Sequence, residues 1–499
     1  MTTQLPSGKL SSMKQRLSLE LGKQLAPTCA AALLCVQVAG GQGGSGVCVA
    51  DSGRALRERL PALMDSAMIP GLALAIIDSG KVVWRGGFGS ADSKSGRVSA
   101  DRTVFEAASL SKPVIAYATL KLADAGQLDL DRPLISYTQY PDFHGDTLGN
   151  LVTAKMVLAH TTGLQNERIG SDSLRFSFNP GTRFQYSGEG YVFLGKAIEA
   201  ITGRPLAESM KALVFDPLAM THSSFVWETR FDDAAALGHG PFGEPRKRTR
   251  PRVARAPSSL QTTVSDYARF LVAIQKGTGL RPETSLAMQT PAVDVAPGVS
   301  WGLGWAIEKD SADTALAHHG DNSNSGFTAF TLLNVRRQCG LVYFANSTNG
   351  LSIVKEVASV ITGAHPGLAL LNYERYDART ALARARVAAK LRSGGIDAAL
   401  LEYRKIAEEN PDATPEKLLN DLGYSLLNQA RNKDAIRAFR QNIAAYPGSA
   451  NVYDSMGDAY LADGHPTAAR DAYRRATELE STNTHARLLA DSLNSRLRH

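Results

Sequence analysis

The chain has 499 residues, of which 43% are hydrophobic and 21% charged. That balance excludes a disordered or collagen-like chain and a polytopic membrane protein, and the length allows roughly three domains. A formal charge of +7 is mild for this length and does not by itself argue for a nucleic-acid partner.

Residues 1–50 read as a leader. Lys9, Lys14, Arg16 and Lys23 precede an uncharged stretch from Gln24 to Ala50. Its apolar core, Leu25 to Val36, is too short for an integral membrane span and suits the hydrophobic region of a signal peptide. Export to the periplasm or medium is therefore expected, with cleavage near Gly40 or Ala50. Cys29, Cys35 and Cys48 fall in this leader and only Cys339 lies in the body, so leader removal is expected to leave no intrachain disulfide. No Cys/His spacing resembles a zinc site.

After the leader, Gly53–Met64 is predicted helical. Strands follow at Leu72–Asp78 and Lys81–Phe88, joined through the turn signal Asp78-Ser79-Gly80. Ser109 to Gln127 has a helical pattern that ends near Gly126. From about 128 to 280 helices alternate with Gly- and Pro-rich loops, and Tyr191–Ile201, Leu206–Leu213 and Val264–Gln275 have the clearest apolar spacing. Within that stretch Arg246 to Arg255 holds six basic residues in ten, and Pro251 and Pro257 mark it as a solvated loop. Gly302–Glu308, Gly326–Leu333 and Leu341–Asn346 then read as strands, with a closing helix over Ser352–Ile361. Strands at both ends of the segment imply a sheet that the chain leaves and re-enters, with the middle forming an inserted helical subdomain.

Beyond about residue 373 strand patterns vanish. Leu422/Met456, Gly423/Gly457, Leu426/Tyr460, Ala435/Ala469 and Phe439/Tyr473 pair at a 34-residue offset. This resembles the tetratricopeptide repeat, including Pro447 in the first copy. Ala399, Tyr403 and Pro411 keep the same internal spacing and suggest an earlier partial copy. In that repeat a glycine and an alanine let paired helices approach while the aromatic fills the next repeat's groove, and a protein partner is one use for such a region. The resulting bounds are a leader over 1–50, a mixed α/β domain over 51–370 and helical repeats over 371–499.

Two kinds of nucleophile motif occur. Gly298-Val-Ser300-Trp-Gly302 has the Gly-x-Ser-x-Gly spacing, but a strand pattern follows where a hydrolase elbow needs a helix. Ser-x-x-Lys occurs as Ser11/Lys14, Ser352/Lys355 and Ser109/Lys112. Only the last opens a long helix, where residues i and i+3 share a face and the amine can reach the hydroxyl. The unpaired N–H groups of a helix start can also point at a developing oxyanion. To serve as a base at neutral pH the lysine must be desolvated or set beside another cation.

Phe105–Lys112 (FEAASLSK), Leu158–Leu164 (LAHTTGL), Asn179–Gly195, Gly302–Trp305 (GLGW) and His318–Phe327 (HHGDNSNSGF) occur in that order. Together they resemble the serine β-lactamase and penicillin-binding-protein superfamily, nearest its class C, esterase and D-aminopeptidase branches, over about Arg54 to Thr362. The resemblance implies an α/β (α+β) fold with a mainly antiparallel sheet flanked by helices. It implies Ser109 as the acylated nucleophile, with Lys112 and Tyr186 as the base system. It places His318 and Gly320 on the strand lining the site and pairs the Asp321 N–H with that of Ser109 as oxyanion donors. A register shift by one would put His319 in place of His318. His160 is expected to hold a loop.

The sequence departs from the pattern twice. Gly188 stands where Tyr-x-Asn would put an amide that binds the substrate's side-chain amide, and a histidine replaces the lysine of the third motif. Both make an efficient β-lactamase less suited and favour ester or small peptide and amide substrates, without metal or organic cofactor. A D-peptide or β-lactam hydrolase on the same machinery is the alternative within enzymes. A peptide-binding sensor that recruits a partner through its repeats is the alternative outside them.

Overall fold

The computed structural model describes residue 48 and residues 51–92, 96–143, 145–168, 174–309, 314–363, 370 and 378–496. The leader reading, with Cys29 and Cys35, lies outside these residues.

Helix α1 (Ser52–Ala67) leads into strands β1 (Gly71–Asp78) and β2 (Lys81–Asp92). Ser79 and Gly80 both have positive φ, at 50° and 69°, and form the two-residue connection whose twist matches a right-handed hairpin. β1 is apolar on both faces. Leu72, Leu74 and Ile76 pack toward one core, Ala73, Ala75 and Ile77 toward the other. That is the pattern of a strand buried between two layers.

The chain returns to the same sheet after a long excursion. The short strands β3 (Gly96–Arg97), β4 (Phe105–Glu106) and β5 (Gln261–Thr262) precede β6 (Val293–Ala296), β7 (Val299–Trp301), β8 (Ala306–Lys309), β9 (Thr314–Asn322), β10 (Phe327–Asn334) and β11 (Cys339–Ala345). Nine of these strands form one sheet in the order β3-β2-β1-β11-β10-β9-β8-β7-β6, with every pair antiparallel. On one face lie α1 and the closing helix α8 (Val354–Thr362). The other face carries α2 (Ser111–Asp124) and α6 (Val264–Lys276). Between β5 and the early strands the excursion holds α3 (Ala154–Leu158), α4 (Gly188–Thr202) and α5 (Leu206–Met210), and α7 (Pro282–Met288) follows α6. Sequence periodicity missed α7, β6 and β7. The predicted strand over Gly302–Glu308 begins only at Ala306, because Gly302 and Gly304 form a turn.

The disulfide expectation is corrected. Cys48 and Cys339 are joined, with Cα atoms 5.4 Å apart, and both are buried. Cys48 therefore belongs to the folded domain rather than to the leader. A cleavage at Gly40 would keep it, and a cleavage at Ala50 would remove it.

Residues 378–496 form helices joined by short turns, with no strand among them. α9 (Ala378–Glu409) is broken at Gly395, whose φ of 71° no ordinary helical residue adopts. Ala399 and Tyr403 of its second half are buried. The pairs α10 (Glu416–Asn428) with α11 (Asn432–Ala445) and α12 (Ala450–Ala462) with α13 (Pro466–Leu479) follow, then α14 (Thr484–Arg496). A Cβ on Gly423 would sit 2.3 Å from the Phe439 ring, and one on Gly457 would sit 2.4 Å from Tyr473. Each aromatic thus covers the glycine of its own helical pair and also belongs to a buried cluster shared with the following helices, Phe439 with Met456 and Ala459, and Tyr473 with Ala486 and Ala490. Phe242 of the sheet domain inserts into the core of these helices, and Arg384 Nη1 donates to Asn349 Oδ1 at 2.7 Å.

Candidate active site

Helix α2 is buried around most of its circumference, which makes it the central post of the domain. A tight turn over Ala107–Leu110 leads into it. Ala107 N donates to Leu260 O at 2.8 Å, Ser111 Oγ donates to Ala108 O at 2.7 Å, and Leu260 N donates to Ser111 Oγ at 3.1 Å. These bonds hold Ala108 at φ 48°, a conformation that costs a non-glycine residue about 1 kcal/mol or more. Ser109, directly after it, is the partly exposed member of an otherwise buried turn. The backbone is bent to present that one hydroxyl.

Lys112 projects from the first turn of α2 and is 2% exposed. Its Nζ lies 3.0 Å from Ser109 Oγ and 3.1 Å from Pro257 O. Burial drives its pKa from 10.5 down to about 7, against the opposing pull of Glu167 and with a smaller push from Arg255. An amine in this state is a competent base near neutral pH.

Tyr186 lies beside this pair, with its ring centroid 4.7 Å from Lys112 Nζ. The loop that carries it is pinned by His160, itself buried at φ 55°. His160 O accepts from Gln185 N at 2.8 Å, His160 Nδ1 accepts from Ser187 N at 3.0 Å, and the imidazole stacks on Tyr186 at 4.2 Å. Burial, then Lys112, holds the His160 pKa well below its usual value, so the ring is a neutral acceptor. Ser187 Oγ caps α4 by accepting from Gly190 N at 3.0 Å. Gly188 opens that helix, and a Cβ there would meet Asn166 O at 2.4 Å. The departure at Gly188 is therefore built into the backbone: an asparagine would displace the 165–167 loop.

On β9, Gly320 pairs with Ala329 and His318 with Thr331, on the face that Leu316 turns toward α2. A Cβ on Gly320 would fall 2.6 Å from Ala107 O and 3.1 Å from Ser109 N. Only glycine allows the strand so near the turn that carries Ser109. His318 is fully buried, with its ring 6.1 Å from Tyr186 and 5.5 Å from Trp301. The His319 ring lies 6.1 Å from that of His318. Burial, followed by His319 and Lys112, keeps His318 well below its usual pKa, and burial then Lys112 lowers His319 to about 4. Both are neutral at pH 7, so neither clamps a carboxylate by charge. Ser109, Lys112, Tyr186 and Gly320 thus come together, with the His318 ring 6.1 Å from that of Tyr186 and Gly188 opening α4 two residues after Tyr186.

Other candidates fall elsewhere. Ser300 sits on β7 with its Oγ 2.9 Å from Asp294 Oδ1, and no helix follows it. Ser352 donates to Asn349 O at 2.7 Å on the opposite face of the sheet. Among the described residues, Asp454, Asp458 and His485 of the repeats bring potential metal-ligand atoms within 4.8 Å of one another. Both carboxylates already accept bonds, from Tyr424, Tyr473 and Asn483.

Two participants escaped sequence reasoning. Pro257 contributes a backbone carbonyl, for which no side-chain signal exists. Glu106 lies inside the recognised FEAASLSK segment without a role, yet its buried carboxylate accepts from Asn322 Nδ2 at 3.0 Å, from Ser325 Oγ at 2.7 Å and from the Thr249 hydroxyl. It ties the far end of β9 and the basic loop to β4, three residues before Ser109. That basic loop is not purely a solvated surface. Lys247, Arg248, Arg250 and Arg255 line one wall of a cavity of about 910 Å³, which Glu106 and Asp321–Ser325 close on the other side.

Comparison with known proteins agrees with this geometry. Residues 56–362 match the family described as Beta-lactamase. Esterase EstB of Burkholderia gladioli is 29% identical over 328 residues, covering 53% of this chain and 83% of that protein. Protein flp of Staphylococcus aureus (strain MRSA252) is 25% identical over 335 residues, covering 62% of this chain but only 64% of its own length. A solved class C beta-lactamase superposes with a TM-score of 0.56 at 20% identity, covering 64% of this chain and 97% of that one. D-alanine carboxypeptidase AmpC from Burkholderia cenocepacia gives 0.53 at 21% identity, covering 62% and 98%. These structural likenesses establish the fold. With the family match spanning more than half of its length, the chain belongs to the beta-lactamase family and is a serine hydrolase followed by a helical-repeat region.

Proposed function

We propose that this hydrolase cleaves an ester, or a small peptide or amide, through an acyl-enzyme on Ser109. The observation that carries the reading is Lys112 Nζ, 3.0 Å from Ser109 Oγ and with its pKa lowered to about 7. Neutral Lys112 takes the hydroxyl proton as Ser109 Oγ bonds to the substrate's carbonyl carbon. The N–H groups of Ser109 and Asp321 receive the charge that develops on the carbonyl oxygen. The tetrahedral intermediate collapses, the leaving group departs with the proton held by the Lys112–Tyr186 pair, and an ester to Ser109 remains. Water then attacks that ester with the same base accepting its proton.

The likeness to an esterase, the glycine at 188 and the neutral His318 support esters over β-lactams. The same reading places the protein in an oxidising compartment outside the cytoplasm, since Cys48 and Cys339 form a disulfide. The repeats enter it as the support of the Phe242 loop, which continues into the wall of the cavity. A panel of short p-nitrophenyl esters, D-alanyl peptides and a chromogenic cephalosporin tests the substrate class. Turnover of the esters with a far lower rate on the cephalosporin is expected. Preferential turnover of the peptides or the cephalosporin would overturn the ester assignment in favour of D-peptide or β-lactam hydrolysis.

A further inference from the structure

The repeats meet the sheet domain at three places. At the first, Phe242 is buried in the core shared by α9, α10 and α11, and Met68, directly after α1, packs against the same core. At the second, Asn349 Nδ2 donates to Ala67 O at 2.8 Å and to Pro241 O at 3.0 Å, while its Oδ1 accepts from Arg384 Nη1. Arg384 Nη2 lies 3.6 Å from Asp421 of α10. The third is electrostatic. Desolvation raises the pKa of the Asp321 carboxyl on β9, and the Ser323 hydroxyl and then the Lys417 charge of α10 lower it.

Phe242 projects from a tight turn. Gly243 N donates to Gly240 O at 3.0 Å, Gly240 N to Glu244 O at 2.8 Å and Phe242 N to Glu244 Oε2 at 3.0 Å. Arg246 N closes the base of the turn by donating to Gly238 O at 2.8 Å. Bonded across both arms, segment 238–246 moves as one piece. That piece abuts the connection between β9 and β10. His239 N donates to Gly326 O at 3.2 Å, and a Cβ on Gly238 would collide with Ser325 O. Ser325 Oγ and Asn322 Nδ2 in turn donate to Glu106, three residues before Ser109. β9 itself carries Gly320, packed against the turn that holds Ser109.

We propose that the repeats position the active site: their hold on Phe242 fixes the β9–β10 connection, and with it β9 and the Ser109 turn, so that turnover depends on that hold. Phe242 and Arg384 are then positioning residues that touch no substrate. Oxyanion donors act only at close range, and a displacement of about 1 Å can cost about 100-fold in rate. The proposal rests on Ser109 being the acylated residue.

The test uses the full chain with p-nitrophenyl butyrate as substrate. A fluorophosphonate, reacted to completion, counts the competent sites, so that kcat is expressed per reactive serine and unfolded protein drops out. Phe242→Ala should lower kcat per site about tenfold with KM changed less than about twofold, and Phe242→Leu, which keeps an apolar anchor, should recover most of it. Arg384→Met, which leaves Phe242 in place, should lower kcat per site about threefold. Amide exchange across Asn322–Phe327 should quicken about tenfold in Phe242→Ala while that of β1 stays as in the wild type. A kcat per site equal to that of the wild type in both Phe242→Ala and Arg384→Met would overturn the proposal, as would unchanged exchange across Asn322–Phe327. A raised KM at unchanged kcat would also overturn it, since the repeats would then shape only substrate binding. Should Phe242→Ala yield no folded protein, Arg384→Met decides by the same criterion. A wild type labelled on Ser109 that leaves the butyrate intact would instead refute the ester reading, and one not labelled there would refute Ser109 as the nucleophile.

Discussion

Replacing Lys112 by methionine should destroy activity and stabilise the protein. The lysine is buried, and its pKa falls from 10.5 to about 7 on folding. At about 1.4 kcal/mol per pKa unit, holding it in place costs about 5 kcal/mol near neutral pH. Methionine has a similar length and volume and carries no charge. Its cost is the loss of the contacts to Ser109 Oγ and Pro257 O, and leaving a buried carbonyl unpaired costs about 1–3 kcal/mol. The net expectation is a gain of about 2–4 kcal/mol.

The pH dependence gives this prediction a second handle. Between about pH 7 and pH 10.5 the unfolded chain keeps the Lys112 proton while the folded protein does not. Wild-type stability therefore rises with pH across that window, and the variant's advantage shrinks as pH approaches 10.5. Urea denaturation of both proteins at several pH values measures it, alongside ester turnover. A variant no more stable than the wild type near neutral pH, or an advantage that does not change with pH, would refute the claim that a desolvated amine faces Ser109.

Three further outcomes follow from the same geometry. For a neutral ester, kcat/KM should fall about tenfold per pH unit below about pH 7 as Lys112 becomes protonated, and level off above it; a flat profile there would exclude Lys112 as the base. Gly320→Ala puts a methyl group 2.6 Å from Ala107 O, so kcat should drop about 100-fold through displaced oxyanion donors, and a loss under about threefold would count against the close approach of β9. Cys339→Ser should lose about 2–4 kcal/mol of stability, and reductant should bring the wild type to the same level; insensitivity to reductant would contradict the pairing with Cys48.

Much of this was legible in the residues because each signal was local. The Ser79-Gly80 connection marks its hairpin through two residues that accept positive φ. The apolar run from Leu72 to Ile77 needs two buried faces, and the spacing of Ser109 and Lys112 is one helical turn. What stayed hidden depends on distant chain segments. Cys48 looked like leader because its partner lies 291 residues away. The segment Arg246–Arg255 looked like solvated loop, since nothing in its own composition reveals that Glu106 draws Thr249 and Asn322 together to close a cavity against it. In the repeats the 34-residue period was plain, but period alone does not tell that Phe439 covers Gly423 of its own pair as well as packing toward the next one. His318 and His319 were separated by register, which the pairing of Gly320 with Ala329 supplies.

The central claim is that one activated hydroxyl, at position 109, becomes acylated. Incubation with a fluorophosphonate, followed by intact-mass and peptide mapping, tests it most directly. The account predicts a single adduct on the peptide containing Ser109, formed faster as pH rises through about 7 and absent from Ser109→Ala. An adduct on another serine, or equal labelling of Ser109→Ala, would contradict it.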